Sequence, residues 1–182
     1  MIGSGTLTKN LAYYLAGVGY DALSDDALRA TKEHILYTLG TVLAGSSAPG
    51  APEALAGARE LGAGQESTVL VLGEKLPAPA AALVNASMAH NRELDINDDR
   101  IAYKSSVTAV PAALALAERT GGVSGKEFLA AVCVGVDLGI RLGLATNPKP
   151  VHAQAIALGP LAAAVACGKL LRLDEARMFD LL

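Results

Sequence analysis

Apolar side chains recur at helical spacing along almost the whole chain. Leu11, Leu15 and Val18 lie three and four residues apart and predict a first helix over 8–18. Ser24 before Asp25 and Asp26 reads as an N-cap with an acidic first turn, a pairing that the positive end of a helix favours. The helix it opens runs through Ala27, Ala30, Ile35, Leu39 and Val42 toward Gly45, where the Ser-Ser-Ala-Pro-Gly cluster ends it. A shorter helix is expected over 52–61, closed by Gly62 and Gly64. Residues 67–72 (STVLVL) form the one β-branched run and predict a strand, too short to organise a sheet.

The second half continues in the same way. A proline-started, alanine-rich helix is expected over 77–90, then a polar loop, then a helix over 107–119 with Pro111 placed in its first turn. Ser124 and Glu127 have capping-box spacing and open a long helix to about Ala145, which Asn147-Pro-Lys-Pro150 breaks. Another alanine-rich helix follows over 154–171, and Asp174 begins an amphipathic turn. Without a repeat or linker, the pattern describes a mainly α fold, an alanine-rich, bundle-like helical domain over 1–182 with one short β element.

Composition agrees with close helix packing. Apolar residues are 52% of the chain but aromatics only 4%, so small side chains must fill the contacts. The formal charge of -3, without a basic stripe, excludes a general binder of nucleic acid or anionic membranes. Asp137 and Arg141 interrupt the most apolar stretch, which argues against membrane insertion, and the N-terminus carries no pattern of an export signal; a cytoplasmic protein is expected. Cys133 and Cys167 fall inside apolar helical patterns and read as small core residues, not as a disulfide or metal ligands.

Ionisable groups gather on one connection, 89–104, directly before an apolar helix that could fix them in space. Asp95, Asn97 and Asp99 match the first ligand positions of an EF-hand, but Arg100 replaces the required glycine and Ser106 the final glutamate, so no metal site is expected. Asp98 and Asp99 read as a solvated charge run, whereas Glu93 and Asp95 are the better candidates to face inward. Lys104, Ser105 and Ser106 could cradle an anion at a helix N-terminus, or be an ordinary serine cap beside an exposed lysine. Of the three histidines, His34 reads as a partly exposed helix residue. His90 suits either a helix C-terminus or a site, and His152 lies just before a helix, where a carboxylate could also bind.

In order and spacing, the segments ILYTLGTVLAG (35–45), AALVNASMAHNRELD (81–95), VPAALALAE (110–118), SGKEFLAAVCVGVDLGIRLG (124–143) and VHAQAIALGPLAAAVACGKLLRLD (151–174) resemble the MmgE/PrpD family. That family includes 2-methylcitrate dehydratase, cis-aconitate decarboxylase and iminodisuccinate epimerase. Glu93-Leu94-Asp95 matches its acidic step after Ala-His, with Ile96 in place of a second aspartate. Lys104-Ser105-Ser106 stands where the family has His-Pro-Ser, and Val151-His152-Ala153-Gln154 where it has Phe-His-x-Thr.

The resemblance implies a cofactor-free, metal-independent lyase or isomerase that moves a proton next to a carboxylate of a small polycarboxylate. In that scheme His152 is the acid/base, Glu93 and Asp95 orient the site, and Lys104, with Ser105, Ser106 and His90, binds substrate. Family proteins are much longer, with an α/β lid domain, so the likeness covers the N-terminal helical part. A homodimer is therefore expected, or a partnership with a separate lid-bearing chain; the alternative is a non-catalytic helical module.

Overall fold

Side-chain caps set where the helices begin. The computed structural model describes residues 6–101, 103–146 and 152–182, the side chains of 152–156 excepted. Thr6 accepts a hydrogen bond from the Lys9 N–H and so starts α1 (Leu7–Gly17), and Ser24 accepts from Ala27 to start α2 (Asp25–Gly45). Helix α3 (Ala51–Arg59) follows the left-handed Gly50, and α4 (Ala78–His90) and α5 (Ser106–Thr120) flank the polar loop. The reciprocal Ser124–Glu127 capping box opens α6 (Gly125–Ala145) as expected. Helix α7 (His152–Leu170) leads to α8 (Glu175–Leu181), which Asp174 caps. The break expected at Asn147-Pro-Lys-Pro150 lies outside the described residues.

This mainly helical architecture, expected from the periodicity, centres on α6 and α7, which share the largest helix–helix contact. Helix α5 packs on α7 on one side and carries α4 and then α2 beyond it, while α1 and α8 pair at the other end. Ala131, Val132, Ala162 and Ala166 fill the contact between α6 and α7, and Ala109, Val110 and Ala113 join them from α5. By length and composition α6 could cross a membrane, but more than half of it is buried inside this body, so it is a core helix here.

Gly135, Gly139 and Gly143 line one face of α6, four residues apart. A Cβ at Gly135 would stand 2.4 Å from the Ala162 carbonyl oxygen of α7, and one at Gly139 would stand 2.7 Å from the Tyr103 hydroxyl. At Gly143 it would meet the Ile101 Cδ1 at 2.6 Å. Helix α7 and the polar loop therefore sit on α6 closer than any side chain would allow. Gly45, expected only as a helix end, has the same use: a Cβ there would lie 1.9 Å from the Met88 carbonyl oxygen of α4.

Two expectations need correction. The apolar run 67–72 is not a full strand: only β1 (Ser67–Thr68) pairs, antiparallel to β2 (Lys75–Leu76). Buried Asn85 on α4 takes over the backbone beyond it, accepting from the Leu70 N–H at 2.8 Å and donating to the Thr68 carbonyl at 3.0 Å. Val71 then turns with a φ of 66°, which ends any extended run. Pro111 is the sixth residue of α5, beyond the first turn, so it does delete the bond that a residue there would give the Val107 carbonyl; its ring is buried in the core instead.

The hairpin is pinned to α5 by one carboxylate. Glu118 accepts from the Thr68 N–H at 2.6 Å, the Thr68 hydroxyl at 2.5 Å and the Lys75 ammonium at 2.7 Å. The lysine and threonine contacts hold its pKa down at about 2, below the ordinary 4.5. Because the folded value is the lower one, the stabilisation is complete above about pH 4.5 and is lost as the pH falls toward about 2. Glu118→Gln is expected to melt lower at neutral pH and to show a flatter acid limb when melting temperature is followed across this range.

Glycine substitutions should divide by position. Gly135→Ala is expected to lower stability by about 1–3 kcal/mol through overpacking. Gly40→Ala, on an exposed stretch of α2 with nothing within 4 Å of the new Cβ, is expected to raise it by about 0.5–1 kcal/mol. Urea midpoints of the two variants test both signs.

Candidate active site

The loop between α4 and α5 is tied down at both ends. Asn91 donates to the Pro49 carbonyl at 3.0 Å and Arg92 to the Ala44 carbonyl at 3.1 Å, which binds the start of the loop to the end of α2. The Glu93 N–H donates to the His90 carbonyl, and Glu93 itself adopts a φ of 55°, so the chain doubles back over the end of α4. Further on, Asp98 and Tyr103 form a β-bridge, and Asp98 accepts from the Arg100 backbone and guanidinium at 3.1, 2.9 and 2.6 Å. Ile101 and Tyr103, both fully buried, drop onto Gly143 and Gly139, and the Tyr103 hydroxyl donates to the Leu158 carbonyl at 3.3 Å. Lys104 follows directly, so its backbone is fixed by a buried neighbour.

Four of the expected site residues meet here. The Lys104 ammonium donates to Asp95 Oδ1 at 3.0 Å and, by a short hydrogen bond, to Glu93 Oε2. His90 Nδ1 lies 3.0 Å from the other Asp95 oxygen, and Nε2 lies 3.2 Å from Glu93 Oε1. The result is a closed ring of two carboxylates bridging an imidazole and an ammonium. Exposure grades across it: the Asp95 side chain is 4% exposed, Lys104 24%, His90 48% and Glu93 69%. Asp95 is thus the buried anchor and Glu93 the outer member.

The ring also fixes charge. Burial works against the Lys104 ammonium, but its hydrogen bonds to Glu93 and Asp95 and their charges outweigh that and raise its pKa, so it stays cationic at neutral pH. The same hydrogen bond to Lys104, with the charge of His90, pulls Glu93 below the usual carboxylate range. Lys104 in this setting is a fixed positive charge paired with two carboxylates.

Other expectations resolve residue by residue. His90 is the last residue of α4, as expected, and its ring is also turned to the two acids. Lys104 is not an exposed lysine beside a serine cap: Ser105 and Ser106 are buried, Ser105 makes no side-chain cap, and Ser106 Oγ is hydrogen-bonded to Thr38 Oγ1 of α2 at 3.1 Å. Glu93 faces outward, not inward. Asp98 is no solvated charge, because Arg100 holds its carboxyl below the usual range and together they shape the loop. His34 is the partly exposed helix residue expected, with an Nδ1 that has no hydrogen-bond partner, and its desolvation lowers its pKa. His152 starts α7, but its side chain lies outside the described residues.

Ile101 and Tyr103 were missed by sequence reasoning as the supports of the site. The signal was present as two apolar residues alternating within a polar loop and three glycines at four-residue spacing on α6.

His90, Glu93 and Asp95 offer ligand atoms within 4.8 Å of one another, the spacing of a metal site. The Lys104 ammonium already supplies the cation, and it would repel a divalent ion while it remains bonded to both acids.

With this fold and loop established, the chain belongs to the MmgE/PrpD family: the model of the family's N-terminal domain matches residues 9–182. Among curated proteins, it is 27% identical over 185 residues to a cis-aconitate decarboxylase of Aspergillus terreus, across 97% of this chain and 38% of that protein. It is 28% identical over 180 residues to the cis-aconitate decarboxylase-like protein oryM of Aspergillus oryzae, across 93% and 37%. The chain therefore spans less than two fifths of the length of these relatives.

Lys104→Met removes the built-in cation and leaves three ligands in place. This variant is expected to bind Zn2+ at least about tenfold more tightly than the parent, by calorimetric titration. Equal affinities would mean that the ammonium does not control the cluster.

Proposed function

We propose that this chain carries the substrate-binding loop of a metal-independent, cofactor-free lyase or isomerase acting on a small polycarboxylate of the cis-aconitate or 2-methylcitrate type. The observation that carries the reading is a lysine whose ammonium is bonded to two carboxylates, Glu93 and the buried Asp95, beside a histidine that shares the same aspartate.

The chemistry needs two kinds of group. Removing a proton next to a carboxylate, or losing carbon dioxide, leaves enolate-like charge that a fixed cation stabilises. Lys104 meets that need by binding a substrate carboxylate, and Asp95 holds it there. A base must also reach the acidic C–H. His152 takes that role in this proposal, with His90 oriented by Asp95 as the neighbouring imidazole. The cis-aconitate decarboxylase relatives support the substrate class, while the choice among elimination, decarboxylation and epimerisation stays with the experiment.

The second reading is a non-catalytic helical module, or one part of a split enzyme, working as a homodimer or with a lid-bearing chain. It is favoured by Leu36, Leu39 and Leu43, which are exposed along one face of α2.

Citrate or cis-aconitate is expected to raise the melting temperature of the parent by linkage, and Lys104→Ala to abolish the shift. Equal shifts in both proteins would remove Lys104 from the site. Consumption of cis-aconitate or 2-methylcitrate, or proton exchange next to a carboxylate, separates an enzyme from the module; neither occurring in the purified chain would leave the module.

A further inference from the structure

The two carboxylates on Lys104 are not equivalent. Each has its second oxygen on His90, Asp95 at Nδ1 and Glu93 at Nε2, but Asp95 is buried, so its departure would strip both partners of a ligand that water does not replace. Glu93 is mostly exposed and stands on a tight turn, where rotation of its side chain alone would release the ammonium. Two acids share the one ammonium of the ring. A polycarboxylate approaching Lys104 therefore meets an acid in the place its own carboxylate would occupy.

We infer that Glu93 is an internal carboxylate that occupies the Lys104 ammonium while the site is empty and yields it to a carboxylate of the substrate. This rests on the proposed polycarboxylate site and assigns Glu93 a positioning role distinct from that of Asp95. The exchange conserves one ion pair at the ammonium, so the empty site is not left with an unpaired cation. It also makes affinity depend on competition: a ligand must present a carboxylate that replaces that of Glu93, and a second one that gains a contact elsewhere.

The test is calorimetric titration with citrate, at low ionic strength, of the parent, Glu93→Gln, Asp95→Asn and Lys104→Ala, alongside the melting temperature of each without ligand. Glu93→Gln keeps the shape and removes the charge; it is expected to bind citrate about five- to tenfold more tightly than the parent while melting at or below the parent's temperature. Glu93→Ala should shift affinity in the same direction. Asp95→Asn should weaken citrate binding and Lys104→Ala abolish it. A gain in affinity without a gain in stability is not what a merely structural residue would give.

Unchanged or weaker citrate binding in both Glu93 variants, with binding still lost in Lys104→Ala, would overturn this inference and leave the proposed site standing. Undiminished binding in Lys104→Ala, or no citrate binding by any of the proteins, would overturn the proposed site and the inference together.

Discussion

The absence of side chains on one face of α6 is the constraint on which the rest depends. Gly135 admits the backbone of α7, and Gly139 and Gly143 admit Tyr103 and Ile101. Burial pushes the Tyr103 phenol up to about 12, so it stays neutral, and its hydroxyl has the Leu158 carbonyl as a partner. One helix face thus fixes both α7 and the loop on which the candidate site is built. Interiors packed this closely accept few volume changes, so the position of Lys104 is tied to the core by its neighbour in sequence.

Two partly buried lysines among the described residues show how the surroundings decide what an ammonium does. Lys169 reaches only carbonyl oxygens, donating to Ala16 at 3.0 Å and Val18 at 2.6 Å, and burial lowers its pKa. It ties α7 to the end of α1, where helix carbonyls need donors. Lys104 loses water as well, but two acids more than compensate and its pKa rises. The first lysine closes the fold at α1; the second is a fixed positive charge at the surface, where a ligand can reach it.

Most of the helical framework was legible because it is written locally. Ser24, Ser124 with Glu127, and Asp174 mark their own helix starts, and the intervals between apolar residues follow from a single period. The stretch from Val69 to Leu72 was misread because Val71 turns it and Asn85, from a later helix, takes the Leu70 N–H and the Thr68 carbonyl, contacts that no local pattern encodes. The gathering of His90, Glu93, Asp95 and Lys104 was legible in part, since all four lie on one connection. Their division of labour was not, because it depends on burial: Glu93 and Asp95, only two residues apart, are set outward and inward by the left-handed turn at Glu93. Asp98 was misjudged for the same reason, as its partner Arg100 converts a charge run into a folded turn.

A lysine where the family resemblance implies an imidazole separates two tasks that one residue could otherwise combine. An imidazole changes charge near neutral pH, whereas an ammonium with a raised pKa does not. In the proposed site, Lys104 can then contribute only binding and charge stabilisation, and proton transfer falls to a histidine. His90 is already held by a buried aspartate, the arrangement that orients an imidazole for acid–base work. His152, at the start of α7, belongs to a helix that Tyr103 and Thr108 hold through the Leu158 and Gly159 carbonyls. The α6 contacts that fix Lys104 therefore also fix the helix bearing the proposed base, so a change at Gly139 would disturb binding and proton transfer together.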